Sequence, residues 1–223
     1  PLLHIMKLTV NNPFKQHSLD QDVIIFEDVI PEVYQNWLLD CINNPDLRWH
    51  RKDKAISDLF ENDPRNGFCN FHYLYEIEQG ELSNLCNAFM PLALQFRDKL
   101  QAECLLRMRV NCTPAWYKNQ VQLPHVDSYV DDSWNVIYYM DDSNGDTVIY
   151  NQRTQDPDDY IKQVKDDKWS VKMQIQPKKG RAVAFKGDLF HSSTLPVGTY
   201  RPVVNLNIAS KRPDDPSTAY KPQ

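Results

Sequence analysis

The sequence lacks any apolar run long enough to cross a bilayer, which takes about 20 residues. Its first residues also lack a basic segment followed by an apolar run, the pattern of a secretory signal. The five cysteines are odd in number and contain no C-x-x-C pair, so neither a disulfide framework nor a zinc knuckle is indicated. These absences favour a soluble, reduced, cytoplasmic protein with no membrane association.

An excess of positive charge is also missing. The chain has 25 Lys and Arg against 30 Asp and Glu, and the formal net charge is -5. Acids and bases are mixed along the chain, so no basic face is available for a phosphate backbone, and nucleic acid is not expected as a partner.

The length of 223 residues suits one domain with a full hydrophobic core, and no internal repeat is present. We expect a single domain over residues 1–223. Within it we expect a strand and helix part over about 1–104, a β-rich core over about 105–210, and a polar, proline-rich tail over 211–223.

Two helices are predicted in the amino-terminal part. In "DVIIFEDVIPEVYQNWLLDCINN" (22–44) an apolar strand precedes Pro31, a residue favoured at the first helical position. The apolar residues that follow at helical spacing are Val33, Trp37, Leu38 and Cys41. A second helix, which Pro91 should kink or split, has an apolar stripe of Leu82, Leu85, Phe89, Leu92 and Phe96.

The pattern changes to short β runs after residue 104. Closely spaced short strands predict a mainly β (α+β) sandwich or barrel with the earlier helices packed on its outside. The predicted strands are 105–112, 123–129, 134–140, 146–150, 168–176, 181–186 and 200–209.

The stretch "PHVDSYVDD" (124–132) concentrates metal-binding residue types. On a strand, His125 and Asp127 would point to the same face and could converge on one ion. His191 is the histidine that follows a later strand, "GRAVAFKGDLF", and begins the loop "HSSTLPVGTY". Two imidazoles and one carboxylate form the facial triad that holds non-haem Fe(II) with positions open, whereas structural zinc would need a fourth ligand.

Arg201 lies ten residues after His191, in "YRPVVNLNI". On a strand it shares a face with Val203, Asn205 and Asn207, while the opposite face is apolar and packed. A buried arginine needs a partner, and a dicarboxylate would supply one through two parallel hydrogen bonds. We interpret Arg107 and Arg109, by contrast, as surface or packing residues.

This ordered set resembles the Fe(II)- and 2-oxoglutarate-dependent oxygenases, whose fold is a double-stranded β-helix of jelly-roll type. "NVIYYMDD" before "NGDTVIY", together with "PKKGRAVAFKGDLFHSS", is similar to the prolyl-hydroxylase-like branch, and the resemblance covers about residues 22–210. It implies that Arg201 and Tyr139 contact 2-oxoglutarate, with Tyr138 facing outward. It further implies an iron site of His125, Asp127 and His191, and a co-substrate pocket lined by Asn135, Ile137 and Val203.

The resemblance also implies an activity: hydroxylation of an unactivated C–H bond with Fe(II), 2-oxoglutarate and O2, and with ascorbate as a reductant. The expected substrate is a prolyl residue in a peptide or protein, with residues 51–70 as a lid over it. The alternatives are a free amino acid or small molecule as substrate, a cupin-type metal enzyme that needs no Arg201, and a non-catalytic jelly-roll binding module. Asn207 stands where nucleic-acid dealkylases of this family carry a second arginine.

Overall fold

The computed structural model describes residues 15–18, 21–54 and 56–213. Residues 1–14 and residues 214–223, which make up most of the predicted tail, lie outside the described part. Its strands are β1 Lys15–Ser18, β2 Val23–Glu27, β3 His50–Lys52, β4 Cys69–Glu76, β5 Gly80–Glu81, β6 Cys104–Thr113, β7 Ser133–Tyr139, β8 Thr147–Arg153, β9 Val171–Ile175, β10 Ala182–Lys186, β11 Leu189–Ser193 and β12 Arg201–Ala209.

Among the described residues the strands are accompanied by three α-helices, α1 Glu32–Ile42, α2 Cys86–Lys99 and α3 Pro157–Asp166, with a short 3-10 turn at Asp58–Phe60. The sequence interpretation missed α3, although its start carries a clear signal. Asp156 accepts hydrogen bonds from the backbone N–H groups of Asp158 and Asp159, and Pro157 occupies the first turn. Capping carboxylates and an early proline both favour a helix start at this point.

Nine strands form one large sheet in the order β1-β2-β10-β7-β12-β6-β4-β3, with β5 paired to β4. The order is far from the chain order, and all of these pairs are antiparallel. A second sheet has the order β11-β8-β9. Residues 121–125 extend its edge, because Val121 bridges Thr194 and His125 bridges His191.

Three apolar clusters show how these elements are layered. One lies between α1, α2 and the outer face of the large sheet, and includes Leu38, Phe89 and Leu206. A second, with Ile137 and Ile149, fills the space between the two sheets. A third lies between the small sheet and α3. Two antiparallel sheets with helices outside confirm the predicted jelly-roll class.

The buried face of α1 differs from the prediction. Val33 is 77% exposed and Trp37 is 50% exposed, whereas Gln35, Leu38 and Ile42 are buried. Gln35 is buried without loss because its Nε2 donates a 2.8 Å hydrogen bond to the carbonyl of Ile30. The second helix runs continuously through Pro91, so of the predicted kink or split the split is wrong, and the kink stays a prediction.

Two strand predictions also need correction. Residues 126–129 are not a strand, and His125 contributes only an isolated bridge. Proline has no N–H to donate, so Pro124 interrupts the ladder just before His125. His191 lies within β11 and not in a loop after β10. Tyr138 does face away from the inter-sheet space, but it is buried beneath the helices.

Two features of the structure concern membrane-spanning helices and the cysteines. In the ranges described, every helix is too short or too polar to span a membrane. All five cysteines are free thiols. Burial raises the pKa of the Cys112 thiol to about 12, which keeps that sulfur protonated and poorly nucleophilic.

Candidate metal centre

His125, Asp127 and His191 converge at one point between the two sheets. Their potential ligand atoms all lie within 4.8 Å of one another. The Nε2 atoms of His125 and His191 are 3.8 Å from Oδ1 and Oδ2 of Asp127, respectively. Ligands bound to one ion at about 2.1 Å lie about 3 to 4 Å apart, so these separations suit a single metal ion.

The two histidines are positioned by the backbone. His125 and His191 face each other across the edge of the small sheet, and each donates its N–H to the other's carbonyl at 2.9 Å. Their ring centroids are 4.4 Å apart. Nδ1 of His125 lies 3.1 Å from the carbonyl of Leu123, which leaves Nε2 directed toward His191 and Asp127.

Contrary to the sequence prediction, the side chain of Asp127 is not oriented by strand alternation. Asp127 follows His125 in a loop. Instead, β12 holds the carboxylate: Nδ2 of Asn205 donates to Oδ2 at 3.0 Å, and Nδ2 of Asn207 donates at 3.4 Å. Oδ1 of Asp127 is buried and accepts no hydrogen bond from the described residues. An orphaned carboxylate oxygen facing an imidazole nitrogen fits a metal ligand.

The protonation states favour metal binding as well. Burial lowers the pKa of His191 to about 3 and also lowers the pKa of His125, so both rings are neutral near pH 7. Burial opposes ionisation of Asp127, but in acid, where His191 is also protonated, the positive charges of His191, Arg107 and Arg109 outweigh it and hold the pKa of the carboxyl well below its usual range. Two neutral imidazoles and one carboxylate are the donor set of a non-haem Fe(II) triad.

Arg201 lies at the start of β12 and closes a small cavity that also contains both histidines. It is only 5% exposed. Its Nε donates to the carbonyl of Gly145 at 2.6 Å, and its Nη2 donates to Oγ1 of Thr147 at 2.7 Å. These contacts fix the plane of the guanidinium at the wall of the cavity, where its positive charge can pair with an anionic ligand.

The other predicted pocket residues divide into two groups. Ile137 and Val203 line the cavity. Tyr139 and Asn135 do not appear in its lining. The Tyr139 hydroxyl donates to Thr147 Oγ1 at 2.7 Å, and the Tyr139 ring centre lies 5.6 Å from the Arg201 guanidinium carbon. Tyr139 therefore packs against Arg201 without lining the cavity. Asn135 is buried and accepts from Asn207 Nδ2, which places it in the amide network behind Asp127.

Of the two predicted roles for Arg107 and Arg109, the structure excludes the surface one, since both side chains are largely buried, and agrees with packing. Both project from β6 toward the triad, and their Nη2 atoms lie 3.5 and 3.6 Å from Asp127 Oδ1. Arg107 Nε donates to Asn207 Oδ1 at 3.1 Å, and the Arg109 guanidinium lies over the Phe71 ring. A signal was present: two arginines spaced two apart in the otherwise apolar run "CLLRMRV" must share one face.

The 51–70 segment is held in place near the site. Asn66 Oδ1 accepts the backbone N–H of Ile56, and Arg65 bridges Asp63 and Asp167 at 2.8 and 2.7 Å. The Arg65 carbonyl also accepts the N–H of Leu123, just before His125. The segment therefore forms a wall beside the triad.

The sequence matches no protein-family model and no curated protein. Solved structures, however, are similar over most of the chain. A prolyl hydroxylase from Trichoplax adhaerens, in complex with a peptide fragment of the hypoxia inducible factor oxygen degradation domain, is 13% identical. Its TM-score is 0.56, and the match covers 85% of this chain and 84% of that one.

Two further structures are also similar. The non-heme alpha ketoglutarate dependent epimerase SnoN from nogalamycin biosynthesis is 12% identical, with a TM-score of 0.58 over 91% of this chain and 88% of that one. HygX from Streptomyces hygroscopicus, with nickel and 2-oxoglutarate bound, is 10% identical, with a TM-score of 0.54 over 84% of this chain and 82% of that one. The chain has the fold of the 2-oxoglutarate/Fe(II) oxygenases. The neighbours' names span different reactions, so the reaction has to be argued from the site.

Proposed function

We propose that the protein is an Fe(II)- and 2-oxoglutarate-dependent oxygenase that hydroxylates a C–H bond. The observation that carries this proposal is the convergence of His125, Asp127 and His191 at one point, together with a small cavity that is lined by both histidines and the buried Arg201. A cupin-type metal site would not need Arg201. A binding module would have no use for a buried carboxylate whose Oδ1 accepts no hydrogen bond and whose two oxygens each lie 3.8 Å from a neutral imidazole.

In this proposal His125, Asp127 and His191 would hold the iron. Iron held there would supply the activation of O2 with 2-oxoglutarate, a chemistry in which one oxygen atom enters succinate, with release of CO2, and the other becomes the hydroxyl group of the product. Asn205 and Asn207 keep Oδ2 of Asp127 fixed through their hydrogen bonds, so Oδ1 keeps its direction toward the ion.

Arg201 binds the carboxylate of 2-oxoglutarate that lies farther from the metal. The guanidinium is already fixed by Gly145 and Thr147, so little side-chain freedom is lost when the carboxylate binds. Ile137 and Val203 supply apolar walls between Arg201 and the histidines. They exclude water from the carbon chain of the co-substrate and strengthen the charge pairing at its end.

The substrate that we propose within this class is a prolyl residue in a peptide. A groove of about 1160 Å³ opens on the other side of Asp127, lined by residues of β3, β4 and β6. That volume exceeds the usual range for a small-molecule pocket, about 300 to 1000 Å³, and leaves room for a peptide segment. The Trichoplax adhaerens neighbour is a prolyl hydroxylase with a peptide bound. A free amino acid or another small molecule is the second candidate, because the same groove would also admit it.

Succinate formation tests the proposed class. The protein, incubated with Fe(II), 2-oxoglutarate and air, should form succinate, and ascorbate should prolong the activity as a reductant. The Asp127→Ala variant should form none, because it loses one of three metal ligands. Succinate formation that is equal in the parent and in this variant would reject the metal assignment. Mass spectrometry of proline-containing peptides should then show a gain of one oxygen, and oxidation of free amino acids only would reject the peptide version.

A further inference from the structure

An aromatic cluster lies between the small sheet and α3, on the side of β11 away from the triad. Phe190 precedes His191 in β11, so the two side chains face opposite sides of the strand. The Phe190 ring stacks on Tyr160 at 5.7 Å and lies 5.0 Å from the Trp169 ring. The Trp169 ring in turn lies 5.3 Å from the Tyr150 ring. Packing alone would explain this cluster unless it is also connected to the metal site and to the surface.

Tyr150 connects the cluster to a metal ligand. Its hydroxyl lies 2.9 Å from Oγ of Ser192, and both side chains are buried. Ser192 is the next residue after His191 in the chain. The line of contacts from Trp169 to His191 is therefore unbroken. Electron transfer weakens steeply with distance and is fastest through groups in contact, so this line couples the Trp169 ring to an ion held by His191.

Trp169 connects the cluster to the surface. Its side chain is only partly buried, and its Nε1 donates a 2.7 Å hydrogen bond to Oδ1 of the exposed Asp167. Loss of an electron makes an indole N–H acidic, and a carboxylate in hydrogen-bond contact can take up the proton. Tyr150 has only a serine hydroxyl as its partner, which is a poor base, and burial raises the pKa of Tyr150. An oxidised ring is therefore more stable at Trp169 than at Tyr150.

The rings nearer the triad are harder to oxidise. The Phe185 ring lies 4.8 Å from the His191 ring, and a phenyl group holds its electrons more tightly than a phenol or an indole. Tyr139 lies beside the guanidinium of Arg201, whose positive charge opposes the removal of an electron. The electron-rich rings with a connection to the surface are those of Tyr150 and Trp169.

We propose that Trp169 and Tyr150 form an electron path from the surface to the iron, which restores the site when O2 is activated without a substrate. This rests on the proposed function. In such a turnover one oxygen atom enters succinate, and the other meets no C–H bond and needs two electrons and two protons to become water. Ascorbate, an ene-diol reductant, gives the two electrons through Trp169 and becomes dehydroascorbate, and its hydroxyl groups and the solvent supply the protons. At each passage the Nε1 proton moves to Asp167 and returns.

Freeze-quench electron paramagnetic resonance tests the path. The Fe(II)-loaded protein is mixed with 2-oxoglutarate and air, without substrate or ascorbate. An organic radical is expected, with a signal that narrows when the tryptophans carry deuterated rings. The tryptophan signal should be lost in Trp169→Phe and replaced by a tyrosine signal in Trp169→Tyr. It should remain in Trp49→Phe, a matched control whose partly buried ring contacts His72, outside the cluster.

Two further readouts follow the same path. Tyr150→Phe loses the hydrogen bond to Ser192, so the Trp169 radical should form more slowly than in the parent. Peptide mass spectrometry should find oxidised Trp169 after turnover without ascorbate, and ascorbate should prevent this oxidation.

A radical that survives Trp169→Phe, or one that is located on Tyr73 or Tyr139, would overturn the proposal. Succinate formation with neither a radical nor oxidation of Trp169 would overturn it as well. If Trp169→Phe fails to fold, the change from a tryptophan to a tyrosine signal in Trp169→Tyr decides in its place. Failure of the proposed function would show separately, as the absence of succinate from the parent protein, and the path would then have no oxidant to reduce.

Discussion

Replacement of Arg201 by alanine should weaken 2-oxoglutarate binding by two orders of magnitude or more. Arg201 is almost fully buried, and its guanidinium is fixed by Gly145 and Thr147 at 2.6 and 2.7 Å. Loss of one partner from a buried ion pair costs about 3 to 5 kcal/mol. Since each 1.4 kcal/mol is about tenfold in affinity, the dissociation constant should rise by about 100-fold to a few thousandfold.

Anaerobic titration of the Fe(II)-loaded protein with 2-oxoglutarate measures this directly, through the visible metal-to-ligand charge-transfer band. Metal affinity should stay within a few-fold of the parent, because Arg201 is not a ligand. Arg201→Lys should recover only part of the loss, since lysine supplies the charge without the planar pair of donors. Arg181→Ala is a matched control, because that arginine pairs with Glu27 away from the cavity. An unchanged titration curve for Arg201→Ala would refute the co-substrate assignment and favour a cupin-type site.

Three further predictions follow from the contacts. Asn205→Leu removes the 3.0 Å hydrogen bond to Asp127 and should weaken metal affinity by about 10- to 100-fold, as measured by Mn(II) titration; unchanged affinity would exclude this positioning role. Arg65→Ala should speed amide hydrogen exchange in residues 56–66, and exchange as slow as in the parent would show that the ion pairs do not anchor this segment. Leu38→Ala should lower the free energy of unfolding by about 2 to 5 kcal/mol, while Val33→Ala, on the exposed face, should change it by less than about 0.5 kcal/mol. Equal losses in urea unfolding would contradict the observed face of α1.

The fold class could be predicted because it depends on a local pattern. Short, almost continuous apolar runs such as 134–140 and 181–186, separated by turn residues, are typical of strands that are buried on both faces. The His-Asp-His set could be found because histidine is scarce and its spacing with Arg201 is distinctive. The orientation of the Asp127 carboxylate could not be predicted, because it depends on hydrogen bonds from side-chain amides of β12, which is distant in sequence.

The wrong buried face predicted for α1 has a physical cause. Helix α1 carries apolar residues on more than one face, and only the position of the sheet decides that Leu38 is buried and Val33 is not. Burial of Gln35 depends on a close approach by Gly180, where a Cβ atom would lie 2.7 Å from the amide, at a φ of +79°. Such packing between distant segments leaves no local signature.

The roles of Arg107 and Arg109 depend on long-range packing in the same way. The face of β6 that carries both arginines could have been open to solvent. Instead the arginines lie beside Asn205 and Asn207 of the paired strand β12, whose amides hold Asp127, so both meet that carboxylate. From the sequence, only their spacing of two residues was visible.

We expect one metal ion to bind at His125, Asp127 and His191, with 2-oxoglutarate between it and Arg201. Both can be located by anomalous diffraction at the iron edge, from crystals loaded with Fe(II) and 2-oxoglutarate without oxygen. One strong peak is expected within about 2.0 to 2.2 Å of a nitrogen of each histidine and an oxygen of Asp127. A dicarboxylate should be visible beside it, with its far end in contact with Arg201. A peak elsewhere, or density for 2-oxoglutarate that does not reach Arg201, would exclude this arrangement.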